Sequence, residues 1–189
     1  MKLSVDEYSN YIPNQGTKST IVSYEQFSKI WMMLPEHVRI RNAELIYSAH
    51  TEGFNLQSLY NICSEYKYDY KFSLLLIQTK KNQIFGAFID DVIRLHIRGY
   101  LGSQDCFVFT VQPNVRVFYE TGQNMRYLLG EMTYFQIGGE GDGPAIWVNE
   151  RLERGHSNKS ATFGNEILTL GQRHIDDTFD IHNLEVFIL

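Results

Sequence analysis

The strongest constraint in this sequence is a pair of apolar runs separated by a short polar segment. Residues 72–78 and 84–89 are rich in Leu, Ile and Phe, and Thr79-Lys80-Lys81-Asn82-Gln83 joins them. Two apolar runs of strand length around a polar loop of about four to five residues are typical of a β-hairpin. The sequence therefore predicts a hairpin in the middle of the chain, with its basic doublet, Lys80-Lys81, at the turn.

Helical signals precede this hairpin and strand signals follow it. Ser23 and Gln26 have the spacing of a capping box before a helix that Pro35 ends, and Asn55 is a suitable N-cap for a second helix. Segment 45–48 is a strand candidate between the helices. Later strand candidates are separated by Gly, Pro and Asn: 106–111, 115–119, 134–137, 145–148 and 184–188. Helices first and strands afterwards predict an α+β fold, an antiparallel β-sandwich of two sheets flanked by a few short helices.

Composition favours one folded domain. Of the 189 residues, 43% are apolar and 14% aromatic, unlike a disordered chain. Residues 1–22 are polar and predicted to be a flexible lead-in, and residues 23–189 a single domain. The longest apolar stretch, 84–89, is far below the ~20 residues of a membrane helix, so no transmembrane segment is expected.

Charge and cysteine content narrow the function classes. The chain carries 17 basic and 22 acidic residues, a formal net charge of −5, whereas nucleic-acid binders normally show a concentrated basic face. The acidic N-terminus does not resemble a signal peptide. Two cysteines, Cys63 and Cys106, do not make a disulfide framework, so a cytoplasmic location is predicted.

The glycine-rich stretch from Gly138 to Gly143 invites comparison with phosphate-binding loops. Such a loop needs a strand before it and a helix after it, but segment 145–148 has the pattern of another strand. Glu140 and Asp142 would also repel a phosphate. We therefore predict a tight or bulged connection between two strands, in which glycine supplies positive φ angles.

Metal and catalytic signals are weak. No histidine pair or Cys/His cluster has zinc spacing, so no metal or other cofactor is expected. Asp176, Thr178 and Asp180 resemble the start of a calcium loop, but its required Gly and Glu positions hold Ile181 and Phe187. A solvated acidic turn before the last strand is predicted instead.

No catalytic residue is assigned. Cys106 lies in an apolar strand candidate, where a thiol is normally buried and inert, and remains a candidate only for a redox role. Glu150, Glu153 and Glu185 are candidate acids whose convergence the sequence does not show.

Several fragments, taken in order across residues 33–189, resemble the TLDc domain family. The matching fragments are Leu45-Ile46-Tyr47-Ser48, Gly53-Phe54-Asn55-Leu56, Leu74-Leu75-Leu76-Ile77 with Phe85-Gly86-Ala87-Phe88, Cys106-Phe107-Val108-Phe109, Ile137-Gly138-Gly139, Gly155-His156-Ser157 with Thr162-Phe163 and Asn165, and Glu185-Val186-Phe187. The chain departs from the family pattern at Glu52, Glu140, Ser160 and Phe187. The segment around Gln112-Pro113 is most similar to the subgroup that also carries a Rab-GAP-like TBC domain.

This resemblance implies a β-sandwich flanked by helices and a link to oxidative-stress resistance. It also implies association with V-ATPase subunits and, for the TBC-linked subgroup, a role in synaptic vesicle and endosomal trafficking. In that subgroup Rab small GTPases and phosphoinositides are engaged by the TBC domain, which this chain does not contain. The implied location is cytoplasmic and peripheral on vesicles or presynaptic membranes.

The main functional hypothesis is a non-catalytic regulatory domain that binds proteins. We expect partner contacts in the loops, which most often carry binding residues. The candidate residues are Gly138, Gly139, Glu140, Gly141, Asp142, His156 and Ser157. Two alternatives stay open: a small hydrolase or peroxide-handling enzyme using Cys106 or an acid pair, and a ligand-binding sandwich that uses the many aromatic residues.

Overall fold

The computed structural model describes residues 19–68, 72–96, 98–169 and 178–189. Its helices are α1 (Tyr24–Trp31), α2 (Glu36–Arg39), α3 (Ala49–Glu52) and α4 (Leu56–Glu65). Its strands are β1 (Glu44–Ser48), β2 (Ser73–Thr79), β3 (Ile84–Ile89), β4 (Phe107–Gln112), β5 (Arg116–Tyr119), β6 (Leu128–Gly130), β7 (Tyr134–Ile137), β8 (Ile146–Asn149), β9 (Arg154–His156) and β10 (Thr178–Ile188). The predicted hairpin is confirmed as β2 and β3.

One long strand, β10, belongs to both sheets of the sandwich. The first sheet has the order β5-β4-β3-β2-β10, with β1 on the other side of β10, and the second sheet continues β10-β9-β8-β7-β6. Thr178, Phe179 and Asp180 pair with β9, whereas β10 pairs with β2 from Ile181 onwards. All these pairings are antiparallel. The prediction of an α+β fold with an antiparallel sandwich is confirmed.

The first sheet is buried on both faces. Leu75 and Ile77 of β2 point into the core between the two sheets, and the alternate residues Leu74 and Leu76 point to a second core beneath α1. This double burial explains why the hairpin strands are continuous apolar runs rather than alternating ones. Fourteen of the 23 aromatic residues in the described part of the chain are buried, which removes much of the motive for an aromatic ligand platform.

Helix α1 covers the first sheet through its apolar stripe. Phe27 and Trp31 are fully buried, and the Phe27 ring lies 5.3 Å from that of Phe187 in β10. Ser23 and Gln26 form the predicted capping box. The helix ends at Trp31, before Pro35, which is instead the N-cap of α2.

Helix α4 begins where the sequence predicts. The Asn55 side chain accepts a hydrogen bond from the backbone N–H of Ser58 at 2.9 Å, as expected of an N-cap. Within the described residues, no helix is both long enough and apolar enough to cross a membrane.

The predicted lead-in over residues 1–22 extends too far along the chain. Residues 1–18 lie outside the described part of the structure, but Ile21 and Val22 are buried in the core beneath α1. Ser19 and Thr20 donate hydrogen bonds to the buried carboxylate of Glu185 in β10. Residues 19–22 therefore belong to the domain, because their apolar side chains pack in its core and their hydroxyl groups bond to a residue distant in sequence.

Two short strands, β6 and β9, have no counterpart among the predicted strands. Each contains a glycine, which in sequence indicates a turn. A Cβ added to Gly130 would lie 2.0 Å from the carbonyl oxygen of Arg94, and one added to Gly155 would lie 2.4 Å from that of Trp147. Glycine is required at both positions because a neighbouring backbone passes too close for a side chain.

The last strand starts earlier than predicted. The sequence predicts an acidic turn that includes Thr178 and Asp180, but both residues lie in β10, which extends to Ile188. The rest of that predicted turn, including Asp176, falls in residues 170–177 and outside the described part of the structure.

Candidate partner-binding surface

The glycine-rich segment 138–143 connects β7 to β8. Gly138 and Gly141 have φ angles of +79° and +70°, and Glu140 between them has φ +59°. The segment is followed by a strand and not by a helix, as predicted, so its amides do not form a helix N-terminus that could bind phosphate. The prediction of a tight connection is therefore confirmed.

This connection packs directly on segment 155–160, which contains the other two candidate residues, His156 and Ser157. The backbone N–H of Asp142 donates to the carbonyl oxygen of Lys159 at 3.0 Å, and that of Asn158 donates to Pro144 at 3.0 Å. Gly141 also forms an isolated antiparallel bridge with Ser160. The two segments that contain the candidate residues thus lie side by side, and we call them the glycine-loop surface. Glu140, Gly141 and Asp142 are exposed in it, whereas Gly138, Gly139 and Ser157 are buried.

Two buried hydroxyl groups hold this surface in place. The backbone N–H of Gly139 is 3.0 Å from both Ser160 Oγ and Thr162 Oγ1, and it donates to this pair of acceptors. Thr162 Oγ1 donates to Asn124 Oδ1 at 2.7 Å, and Ser160 Oγ donates to the carbonyl oxygen of Gly139 at 3.0 Å. Both hydroxyls therefore stabilise the conformation of the loop. The part that Asn124 and Thr162 play in holding it was not predicted from the sequence.

The acidic side chains of the loop face outward. The Glu140 carboxylate lies 2.9 Å from the guanidinium of Arg126, with both side chains nearly half exposed, and it also accepts from Asn124 Nδ2 at 3.2 Å. Asp142 is exposed. The glycine-loop surface therefore presents one carboxylate in an ion pair and a second one to solvent.

His156 and Ser157 have different environments although they are neighbours. The His156 ring stacks on Trp147 with centroids 5.0 Å apart and planes at 14°, and Tyr134 stacks on Trp147 at 5.7 Å. Ser157 is buried, and its Oγ accepts a hydrogen bond from the backbone N–H of Leu168 at 2.9 Å. His156 can contact a partner, whereas Ser157 supports the fold.

Cys106 is fully buried, as predicted for an apolar strand, although it directly precedes β4. Its Sγ accepts a hydrogen bond from the backbone N–H of Asp90 at 3.3 Å. Burial raises the pKa of the Cys106 thiol to about 12, and burial has the same effect on Cys63. Since the thiolate is the nucleophilic form, this environment disfavours a reactive thiol at neutral pH.

The candidate acids lie in unlike environments. Glu185 is fully buried and accepts hydrogen bonds from Ser19 and Thr20, while Glu150 and Glu153 are exposed. Within the described ranges, no group of three or more His, Cys, Asp or Glu side chains is placed to hold a metal ion.

A cleft of about 600 Å³ opens beside the glycine-loop surface and shares His156 with it. Its lining includes Lys80, Lys81, Trp147, Arg154, His156 and Phe179. Sequence reasoning noted Lys80-Lys81 only as a basic doublet at a turn. Its relation to Trp147 depends on how the two sheets meet, and nothing in the local sequence indicates it.

Comparison with known proteins places these features in a family. Residues 16–189 match the model of the TLDc domain. The chain is 30% identical to Oxidation resistance protein 1 of Xenopus laevis over 179 residues, which is 95% of this chain and 20% of that protein. It is 29% identical to Nuclear receptor coactivator 7 of Gallus gallus over 167 residues, covering 88% of this chain and 18% of the relative.

The human Oxidation resistance protein 1 shows a similar relation. It is 29% identical over 181 residues, which is 96% of this chain and 20% of the relative. The chain therefore spans about a fifth of the length of these curated relatives.

Proposed function

The chain belongs to the TLDc domain family, and on that premise we propose that it is a regulatory domain that binds partner proteins and contributes to oxidation resistance. The relatives named Oxidation resistance protein 1 support the second part, because nearly the whole chain aligns with them. The first part rests on the construction of the glycine-loop surface.

The observation that carries the binding proposal is that this surface is fixed before any partner arrives. Backbone hydrogen bonds of Asp142 and Asn158 join its two segments, and Ser160 and Thr162 hold Gly139 from below. A preformed loop loses little conformational entropy on binding, so more of the contact energy appears as affinity.

The same arrangement argues against turnover at this surface. The Ser160 hydroxyl is buried and hydrogen-bonded to the loop backbone, and the Cys106 thiol is buried with its pKa raised to about 12. A nucleophile needs access to substrate and an activating base. Peroxide handling by Cys106 is therefore the less supported alternative.

The partners we propose follow from the family. They are V-ATPase subunits and, if the full protein is of the TBC-linked type, its own TBC domain. In that case Rab small GTPases and phosphoinositides would be engaged by the TBC domain, and the protein would act in the cytoplasm and at the surface of vesicles, including those of synapses.

A binding experiment tests the proposal. The purified domain is titrated with V-ATPase subunits and with a TBC domain in calorimetry, beside the Asp142→Lys variant. Asp142 is exposed, and among the described residues it bonds to the neighbouring segment through its backbone N–H alone, so reversal of its charge should weaken binding several-fold without unfolding the loop.

The matched control is Glu65→Lys, which reverses an exposed charge at the end of α4 and should leave binding unchanged. Peroxide consumption is measured on the same preparations. Failure to bind any of these partners, or turnover that Cys106→Ala abolishes, would contradict the proposal.

A further inference from the structure

The passage of β10 from one sheet to the other leaves an open space at the surface. Residues 178–180 pair with β9, and on the opposite side the backbone N–H of Lys80 donates to the carbonyl oxygen of Asp180 at 2.9 Å. The turn between β2 and β3 therefore forms one wall of the 600 Å³ cleft, and β8 with β9 forms the other. A cleft of this volume is within the usual range for ligand sites.

This cleft continues into a second one. The neighbouring space of about 360 Å³ shares Lys80, Arg154 and Asp180 with the first, and adds Phe54 and His182. Together they form a groove across β10, which we call the cross-sheet groove. Two adjoining clefts can hold successive side chains of one extended segment.

The groove combines an apolar floor with a basic rim. The half-buried Trp147 supplies the accessible apolar surface, and Phe179, only 5% exposed, also lines the cleft. The exposed Lys80 and Lys81 stand at the wall formed by the turn. In the described part of the chain, neither lysine forms an ion pair. Among the described residues, the larger cleft is lined by Lys80, Lys81 and Arg154 against one carboxylate, Asp180, which is a local excess of positive charge in a chain of net charge −5.

One acidic side chain moderates that charge. Asp180 is the cross-strand neighbour of Arg154, and its carboxylate lies 3.6 Å from Arg154 Nε. Both side chains are more than half exposed, so the pair is weak and a carboxylate from outside can compete for the arginine. Glu153 lies at the rim of the smaller cleft. The larger cleft therefore carries the stronger preference for an anion.

From these features we propose that the cross-sheet groove binds an acidic, extended segment of a partner protein. Carboxylates of the segment meet Lys80 and Lys81, and an interleaved apolar side chain packs against the exposed part of Trp147. The inference rests on the proposed function in that the segment belongs to a protein partner. It adds a second contact beside the glycine-loop surface, with which the groove shares His156, and names the chemistry that the partner presents there.

Tryptophan fluorescence provides a direct test. The chain has two tryptophans. Trp31 is fully buried on the inner face of α1, and Trp147 lines the groove. The probe is a ten-residue peptide of alternating Glu and Leu, titrated into the whole chain. We expect a saturable emission change that Trp147→Phe removes, while calorimetry still detects binding to that variant.

Charge variants locate the site. Lys80→Glu with Lys81→Glu should weaken peptide binding by about tenfold or more, because two attractions become repulsions. Lys67→Glu changes an exposed lysine that does not line the groove and should have no effect. Arg154→Glu gives a second, independent variant, and raised salt should weaken binding to the wild type.

Four results would overturn the inference: no saturable change up to millimolar peptide, equal binding by the double variant, equal binding of a peptide with Lys in place of Glu, or full reproduction of the change by inorganic phosphate alone. If the double variant captures the protein partners of the wild type unchanged, the groove assignment fails and the proposed function stands. If the peptide binds but no protein partner does, the proposed function fails and the groove assignment stands.

Discussion

Thr20 donates two hydrogen bonds to the same carboxylate oxygen of Glu185. Its backbone N–H and its hydroxyl each lie 2.8 Å from Oε1, and Ser19 Oγ donates to Oε2 at 2.6 Å. Glu185 is fully buried in β10, the strand that both sheets share. The segment before α1 is thus attached to the centre of the sandwich by a buried carboxylate with three donors.

Replacing this carboxylate should destabilise the whole domain. In Glu185→Ala the three donors of Ser19 and Thr20 lose their acceptor, and hydrogen bonds to charged groups are stronger than neutral ones, so we expect a loss of about 3 kcal/mol in the free energy of unfolding. Thr20→Ala removes one donor and should cost about half as much. Urea denaturation measures both.

The control for this prediction is a hydroxyl at the surface. Ser28→Ala removes a hydrogen bond to the carbonyl oxygen of Tyr24 on the exposed face of α1 and should cost less than about 0.5 kcal/mol. A Glu185→Ala variant as stable as Ser28→Ala would show that the buried carboxylate does not hold the segment.

The glycine-loop surface should tolerate no side chain at Gly138. This residue has φ +79°, and an added Cβ would lie 2.7 Å from Ser160 Oγ and 3.2 Å from the Phe163 ring. Gly122 has a similar φ of +74° with nothing within 4 Å of its Cβ position. Gly122→Ala therefore measures backbone strain alone, about 1 kcal/mol, while Gly138→Ala should cost about 3 kcal/mol.

Thermal and urea denaturation of the two alanine variants separate these contributions. Equal losses of stability would mean that crowding against Ser160 is relieved at no cost. Binding by Gly138→Ala should also weaken, since the loop must shift to accept the methyl group.

Buried and exposed contacts of the glycine-loop surface should differ in energy. Thr162→Val keeps the shape of the side chain but removes the hydroxyl that accepts from Gly139 and donates to Asn124, and should cost about 1.5 kcal/mol. Arg126→Gln removes a nearly half-exposed ion pair with Glu140 and should cost under about 1 kcal/mol. A larger loss of stability in Arg126→Gln than in Thr162→Val, measured by urea denaturation, would show that the buried hydroxyl is not the stronger contact.

Stability should fall at alkaline pH because the folded chain retains two thiol protons. Burial raises the pKa of Cys63 and of Cys106 to about 12, whereas an unfolded thiol titrates near about 8.5. Between these pKa values the unfolded state binds fewer protons than the folded state does. The free energy of unfolding therefore decreases as pH rises, by up to ~1.4 kcal/mol per pH unit for each thiol.

Urea denaturation between pH 7.5 and about 9.5 checks this slope below the ordinary tyrosine pKa of about 10. The double variant Cys63→Ala with Cys106→Ala should be less stable at pH 7.5 but lose less stability as pH rises. An unchanged slope in that variant would assign the effect to other groups.

Short-range patterns predicted much of the fold. Ser23 with Gln26 and Asn55 identify the starts of α1 and α4, because an N-cap bonds to an amide within three residues of itself. The lead-in boundary was wrong because Ile21 and Val22 gain their burial from distant parts of the chain.

The candidate surface was only partly predictable. Glycines and acids identified the connection between β7 and β8, since positive φ is a local requirement of Gly138 and Gly141. Thr162 lies in a family-like fragment, but its role beneath Gly139 was not predicted, because the hydrogen bond joins residues that only folding brings together.

The sequence by itself therefore determined the hairpin, the helix caps and the turn chemistry, all of which depend on neighbours along the chain. Only the tertiary structure decided that segments 138–143 and 155–160 share one surface and that Lys80 faces Trp147 across a groove. The physical reason is β10: its pairing with both β2 and β9 sets how the two sheets diverge, and such long-range pairing has no local signature.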